Sequence, residues 1–232
     1  MSDYYFSIKR LNNSSMNALA RSPAHYMAAL NAPSTETGAL SFGIATHCAV
    51  LEAERFAAEY TLGSKANAKP GGRIIKDGIL SQNEMDAITG IKKAFDAAFS
   101  LVGCEVEKTL IWTDADSGAE CKGRLDILAQ DGIIWDLKTT NDSGDFAYSA
   151  KKYSYPRQAA FYLDGAKAMG MNATGFGWIV VEKEAPYGLQ FYKCSEFSLE
   201  AGRQQYKPLA ALYAECQLLN EWPGYSKEVK TI

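Results

Sequence analysis

The stretch Gly123 to Thr140, G-R-L-D-I-L-A-Q-D-G-I-I-W-D-L-K-T-T, decides the fold. It reads as two strands, Cys121 to Ala129 and Ile133 to Thr139, joined by a tight turn at Asp131-Gly132. Each strand carries one acid inside an apolar run: Asp126 between Leu125 and Ile127, and Asp136 between Trp135 and Leu137. Lys138 follows Asp136 by two residues, so strand periodicity puts both side chains on one face. Two carboxylates ~4 Å apart at an effective dielectric of ~20 repel by about 4 kcal/mol. Such a site takes up a proton, traps a cation, or is a buried Asp–Lys pair without chemistry. A divalent metal is the simplest resolution. Mg2+ prefers one or two carboxylates and leaves positions open for phosphate oxygens.

Working outward, Val106 to Thr113 predicts a third antiparallel strand, closed onto its neighbour by D-A-D-S-G at Asp114 to Gly118. That turn starts like a calcium loop, but its glycine comes one place early and the twelfth position is Leu125 rather than Glu. On the N-terminal side, a helix capped by Ser14 or Ser15 extends to about Leu30, and a second runs from Ser41 to Tyr60. Ser81 to Leu101 is an amphipathic helix with Met85, Ile88, Ile91, Phe95 and Phe99 at helical spacing. Downstream come a helix from Tyr155 to Met169, strands Gly175–Glu182 and Leu189–Ser195, and a helix from Ser198 to Asn220. This order predicts one α/β (α+β) domain over residues 1–232, with a mixed sheet covered by helices. The helical part spans about 13–102, the sheet core about 103–197 and the C-terminal helix about 198–222.

Composition narrows the function classes. With 47% apolar and 22% charged residues in 232, the chain is ordinary globular protein rather than disordered. Its five scattered cysteines and two histidines argue against a disulfide framework, a zinc knuckle, a compact iron–sulfur cluster and a multi-histidine cage. No apolar stretch is long enough to span a bilayer, and Met1 to Arg10 lacks the layout of a secretory signal. A soluble, cytoplasmic protein with no membrane partner is expected. The net charge of −3 gives no global attraction to nucleic acid, so any polyanion must meet a local basic surface. Candidates are Lys65, Lys69 and Arg73 in the acid-free stretch Thr61 to Lys76, and Lys151, Lys152 and Arg157 after the central strands. The loop reads equally as a solvated surface. Arg124, two residues before Asp126, can clamp a phosphate or pair with a site carboxylate. Ser15 can donate to a phosphate from a helix N-terminus or be a plain cap.

Asp126, a nine-residue gap, then Asp136-Leu137-Lys138 resembles the PD-(D/E)xK nuclease core, with Leu125 where that motif has proline. Gly43 to Glu52, G-I-A-T-H-C-A-V-L-E, resembles the histidine-bearing helix of RecB- and RecE-like nucleases. Ser154 to Tyr162, S-Y-P-R-Q-A-A-F-Y, resembles their Gln-x-x-x-Tyr helix, and Ser15 to Leu30 is similar to the start of the RecE catalytic domain. The resemblance covers roughly residues 13–180 and points to the RecE/phage lambda type of exonuclease.

It implies a restriction-endonuclease-like core with an antiparallel catalytic hairpin. His47, Asp126 and Asp136 would be metal ligands, with the Leu137 carbonyl a fourth. Lys138 would be the catalytic lysine, and Gln158 and Tyr162 would position the active site or the DNA. The implied cofactor is Mg2+, with Mn2+ able to substitute. The implied activity digests the 5′-ended strand of linear double-stranded DNA. The 3′ overhang goes to a single-strand annealing protein in phage-type recombination, and the enzyme is a homo-oligomeric ring of three or four. Taken alone, His47 reads as a satisfied core histidine sooner than as a ligand, and only the motif match turns it toward metal; His25 reads as structural or surface. Competing readings are a RecB-like single-strand nuclease, a non-catalytic DNA-end-binding module, and a hydrolase of small phosphoesters.

Overall fold

The computed structural model describes residues 2–32, 36–64 and 68–229. A short helix α1 (Ser2–Ser7) leads into α2 (Met16–Leu19), α3 (Pro23–Asn31), α4 (Gly38–Leu51) and α5 (Ala53–Glu59). The two long helices expected here are both broken. Pro23 has no N–H to continue α2, and Ser22 Oγ instead caps α3 by accepting the His25 N–H at 3.3 Å. Glu52 leaves the helical region, at φ −132° and ψ 58°, between α4 and α5.

The stretch expected as coil carries a small parallel pair, β1 (Thr61–Ser64) with β2 (Ile79–Ser81). Helix α6 (Gln82–Ala98) begins with a capping box in which Ser81 and Glu84 satisfy each other's backbone N–H groups. The main sheet is built from β3 (Glu105–Thr113), β4 (Glu120–Leu128), β5 (Ile133–Thr140), β6 (Gly175–Glu182) and β7 (Leu189–Lys193), side by side in that order. A crossover through α7 (Phe146–Lys152) and α8 (Tyr155–Ala168) makes β5 and β6 parallel, while the other neighbours are antiparallel. Helix α9 (Glu196–Leu219) then packs along α8. The mixed sheet flanked by helices is the architecture expected; α1 and α7 were not. Among the described residues, no helix is long and apolar enough to cross a membrane.

Two apolar layers hold the sheet. Leu110, Trp112, Leu125, Phe161, Val180 and Tyr213 fill the side covered by α8 and α9. Phe42, Ile88, Phe95, Leu137, Ile179 and Val181 fill the side covered by α4 and α6. Strand β6, apolar at successive positions, is buried on both faces, as a central strand with a parallel neighbour should be.

The alternation of faces breaks at one level of the sheet. The β3–β4 ladder pairs Val106 with Ile127 and Lys108 with Leu125. Between them Glu107 sits at φ 51°, a left-handed conformation that costs a non-glycine residue about 1–3 kcal/mol. Leu125 and Leu110 pack under α8, but Ile127 and Val106 pack into the opposite layer. At the same level β4 and β5 part company. Their ladder joins Ile127 to Trp135 and Leu128 to Ile134, whereas β5 pairs with β6 from Ile133 through Thr140.

Candidate metal centre

Asp126 fills the opening between β4 and β5. Its Oδ2 accepts the backbone N–H of Leu137 at 2.8 Å, in place of a ladder bond. A residue's N–H and C=O leave an extended strand along the same edge, so the Leu137 carbonyl borders this opening too. His47, carried by α4, brings Nδ1 to 3.4 Å from Asp126 Oδ2. Glu107 comes from the strained position on β3. One donor atom from each of His47, Glu107 and Asp126 lies within 4.8 Å of the other two.

Asp136 and Lys138 leave β5 together toward α8. Lys138 Nζ lies 2.5 Å from Asp136 Oδ2, and Gln158 Nε2 donates to Asp136 Oδ1 at 2.7 Å. The same ammonium sits 4.9 Å from the Tyr155 ring centroid. A cavity of about 530 Å3 opens over the group, lined among others by His47, Glu107, Arg124, Asp126, Lys138 and Tyr155.

The site is short of positive charge. Burial pushes the Glu107 carboxyl up from its ordinary range, the Asp126 charge adds to this, and Arg124 opposes it from 2.8 Å. Burial likewise raises Asp136, with Lys138 opposing and Asp126 adding. For Lys138, burial works against the ammonium, but Asp136 and Asp126 outweigh it and the net shift is upward. Glu107 Oε2 and Asp136 Oδ2 are buried with no aligned hydrogen-bond donor, close as their cationic neighbours are. Two carboxylates and an imidazole around such a deficit suit a divalent cation.

The residues expected at a site do not all meet there. His47, Asp126, Asp136, Leu137, Lys138 and Gln158 come together, though Asp136 lies outside the three-donor cluster, its oxygens facing Lys138 and Gln158. Tyr162 is next to Gln158, and burial drives its hydroxyl upward, so it stays protonated. Arg124 lines the cavity but pairs with Glu107 and lies 5.3 Å from the Tyr5 ring.

Three basic or polar candidates are corrected. Ser15 Oγ donates to the Asn12 carbonyl at 2.9 Å and makes no cap bond to α2, so it is a local turn element. Arg73 donates to fully buried Glu84 at 2.5 Å and to the Ile79 carbonyl at 2.8 Å, anchoring its loop. Arg157 is 5% exposed and spends its donors on Asn13 and Asn17, tying α8 to the N-terminal segment. Lys69, Lys151 and Lys152 are exposed and do not line this cavity. Lys65 lies outside the described residues.

Glu107 is the member that sequence reading missed, although the hairpin register finds it. Equal steps along both strands from the closing pair Thr113–Glu120 place Glu107 opposite Asp126.

Residues 12–232 match the family described as "PDDEXK-like domain of unknown function (DUF3799)". Among solved structures, a "putative exonuclease" from Eubacterium rectale superposes with a TM-score of 0.66 at 14% identity, over 99% of this chain and 96% of that one. A second, SSO0001, reaches a TM-score of 0.35 at 13% identity over 60% of each chain, too loose a likeness to carry weight. No curated protein matches.

Proposed function

The chain belongs to the PDDEXK-like domain family, and on that premise we propose that it is a Mg2+-dependent exodeoxyribonuclease digesting the 5′-ended strand of linear double-stranded DNA. Membership and fold support a nuclease-like hydrolytic domain. The finer reading rests on one observation above others: His47, Glu107 and Asp126 converge within 4.8 Å beside the Asp136–Lys138 pair, at the floor of an open cavity.

In this reading His47, Asp126 and Glu107 hold the ion, with Asp136 and the Leu137 carbonyl as the next available donors. A divalent cation so held supplies Lewis acidity toward a phosphoryl oxygen, and Mn2+ can take its place. Lys138 points its ammonium at the scissile phosphate and the incoming water. Asp136 fixes that ammonium, and Gln158 fixes Asp136. Tyr162, protonated and next to Gln158, holds the glutamine in turn. Arg124, on the cavity wall and paired with Glu107, would be the group to meet a terminal phosphate.

The resemblance of the histidine helix and of the Gln-x-x-x-Tyr helix to RecE-like enzymes supports exonuclease action that leaves a 3′ overhang. It also supports an annealing-protein partner and a homo-oligomeric ring. The deciding experiment offers linear and nicked-circular duplexes, labelled at either end with and without a 5′-phosphate, in Mg2+, Mn2+ and EDTA. Loss of the 5′-ended strand from linear DNA with metal alone is the expected result. Cutting of the intact strand of the nicked circle, 3′-to-5′ loss, or undiminished activity in EDTA would overturn it.

A further inference from the structure

A second cavity, of about 360 Å3, adjoins the first and shares Lys138, Thr139 and Tyr155 with it. Tyr148, Tyr153 and Lys183 also line it. An aromatic run leads into this space from the core. Buried Trp178 lies 6.4 Å from Tyr155 with the rings at 30°, and Tyr155 stacks on Tyr153 at 5.8 Å and 29°. The run ends in the open: Tyr153 is 55% exposed and nearby Tyr148 63%. Lys151 and Lys152 are exposed on α7 between these two tyrosines, and Lys152 Nζ lies 5.3 Å from the Tyr153 ring centroid. Two carboxylates border the cavity as well. Asp142 has one oxygen engaged by the Gly144 N–H at 2.8 Å, and Asp145 stands at the start of α7.

We infer that Tyr148, Tyr153 and Tyr155, with Lys151, Lys152 and Lys183, form a stacking platform for unpaired nucleotides of the strand being cut, so that this strand arrives at Lys138 already separated from its complement. The inference rests on the nuclease reading and adds the form in which the substrate is held. In a duplex both faces of every internal base are already stacked, so exposed tyrosines gain little from paired DNA. An unpaired strand offers a free π-face at each base, and its backbone follows the neighbouring lysines. The acidic border at Asp142 and Asp145 repels phosphates and leaves them to the lysines. A base landing on Tyr153 displaces the Lys152 ammonium, which becomes free for the adjacent phosphate.

Binding measured in EDTA, where metal-dependent cleavage is silent, tests this. The full chain is titrated with a fluorescein-labelled oligo-dT, with a single strand carrying 2-aminopurine, and with a blunt duplex of equal length. Tyr148→Ala and Tyr153→Ala should each weaken single-strand binding roughly 5- to 150-fold and relieve the 2-aminopurine quench. Tyr148→Phe and Tyr153→Phe should retain both. Hydrolysis of bis(p-nitrophenyl) phosphate in Mn2+, which needs no platform, should be unchanged in all four variants. Wild-type single-strand affinity in the alanine variants, or an equal loss for single strand and duplex, overturns the platform. Absence of diester hydrolysis in the wild type counts against the nuclease reading alone, because the binding arms decide the platform without it.

Discussion

The carboxylate of Asp126 accepts the backbone N–H of Leu137 at 2.8 Å at the level where β4 and β5 separate. One side chain thus satisfies a main-chain donor that the parted ladder would leave unpaired, and it also stands in the three-donor cluster. The two jobs can be separated. Asp126→Asn keeps an acceptor but removes a charge, and is expected to weaken Mn2+ binding at least about tenfold with little change in melting temperature. Asp126→Ala removes both and should additionally cost about 1–3 kcal/mol, the penalty for an unsatisfied buried group. Titration calorimetry and thermal melts check the pair. An Asn variant that binds Mn2+ like the wild type would exclude Asp126 as a ligand.

Lys138 pairs with Asp136, which lies outside the three-donor cluster, so its removal should separate catalysis from metal binding. Lys138→Ala is expected to lower DNA hydrolysis by about 10²- to 10³-fold, as loss of a preorganised charged donor does. Mn2+ affinity should stay within a few-fold of wild type. Initial rates on linear duplex, set beside calorimetry, give both quantities. Retention of most of the activity would sink the assignment.

The acid cluster makes metal binding a function of pH. Burial and the Asp126 charge hold the Glu107 carboxyl above its usual range. A carboxyl raised in the fold keeps a proton that the unfolded chain has already released. The contribution of Glu107 to the stability of the metal-free fold is therefore lost as pH rises from the unfolded pKa through the folded one. A divalent ion competes with that proton and binds more tightly over the same interval. The rise in melting temperature on adding Mn2+ is thus expected to be small in acid and to grow toward neutral pH. In Glu107→Gln it should be smaller and flatter. A wild-type Mn2+ effect that does not vary with pH would remove Glu107 from the site.

Most of the sheet was legible because period-two patterns and turn residues are local signals. The turns at Asp114–Gly118 and Asp131-Gly132 bracket β4 with Asp126, and the second leads straight into β5 with Asp136. What was not legible depends on where side chains go after folding. Arg73 and Arg157 look like free cations in sequence, yet each found partners elsewhere in the chain, buried Glu84 for one and Asn13 and Asn17 for the other. Ser15 looked like a cap and became a turn closure. Glu107 was passed over because a charged residue on a half-buried strand is ordinary. Its φ of 51° and its place across from Asp126 are properties of the assembled hairpin. The helix breaks at Ser22-Pro23 and Glu52 show the same thing at the backbone level: the proline break carries a sequence signal, whereas the break at Glu52 has no such marker.

The Arg157 correction has its own test. If the guanidinium is a strut between α8 and the N-terminal segment, Arg157→Ala removes the hydrogen bonds of a buried cation to Asn13 and Asn17 and should lower stability by about 1–3 kcal/mol. Duplex binding in EDTA should change by less than about twofold, and its salt dependence should be unaltered. A large fall in binding at unchanged urea midpoint would return Arg157 to the DNA surface.

The position of Gln158 depends on a contact far from the cavity. Helices α8 and α9 meet so closely at Gly202 that a Cβ there would stand 2.1 Å from the Pro156 carbonyl oxygen and 3.0 Å from the Ala160 Cβ. A backbone carbonyl cannot swing aside like a side chain, so Gly202→Ala must push the first turn of α8 away from α9. Overpacking of this kind costs about 1–3 kcal/mol, read as a lower urea midpoint at unchanged slope. Pro156 lies two residues before Gln158, whose 2.7 Å bond holds Asp136. The displacement should therefore also slow hydrolysis in the fraction that remains folded, while the His47–Glu107–Asp126 cluster, borne on α4, β3 and β4, keeps its Mn2+ affinity. If the midpoint falls and turnover per folded molecule does not, the link from helix packing through Gln158 to Lys138 is wrong, and Gln158 serves only to satisfy a buried carboxylate.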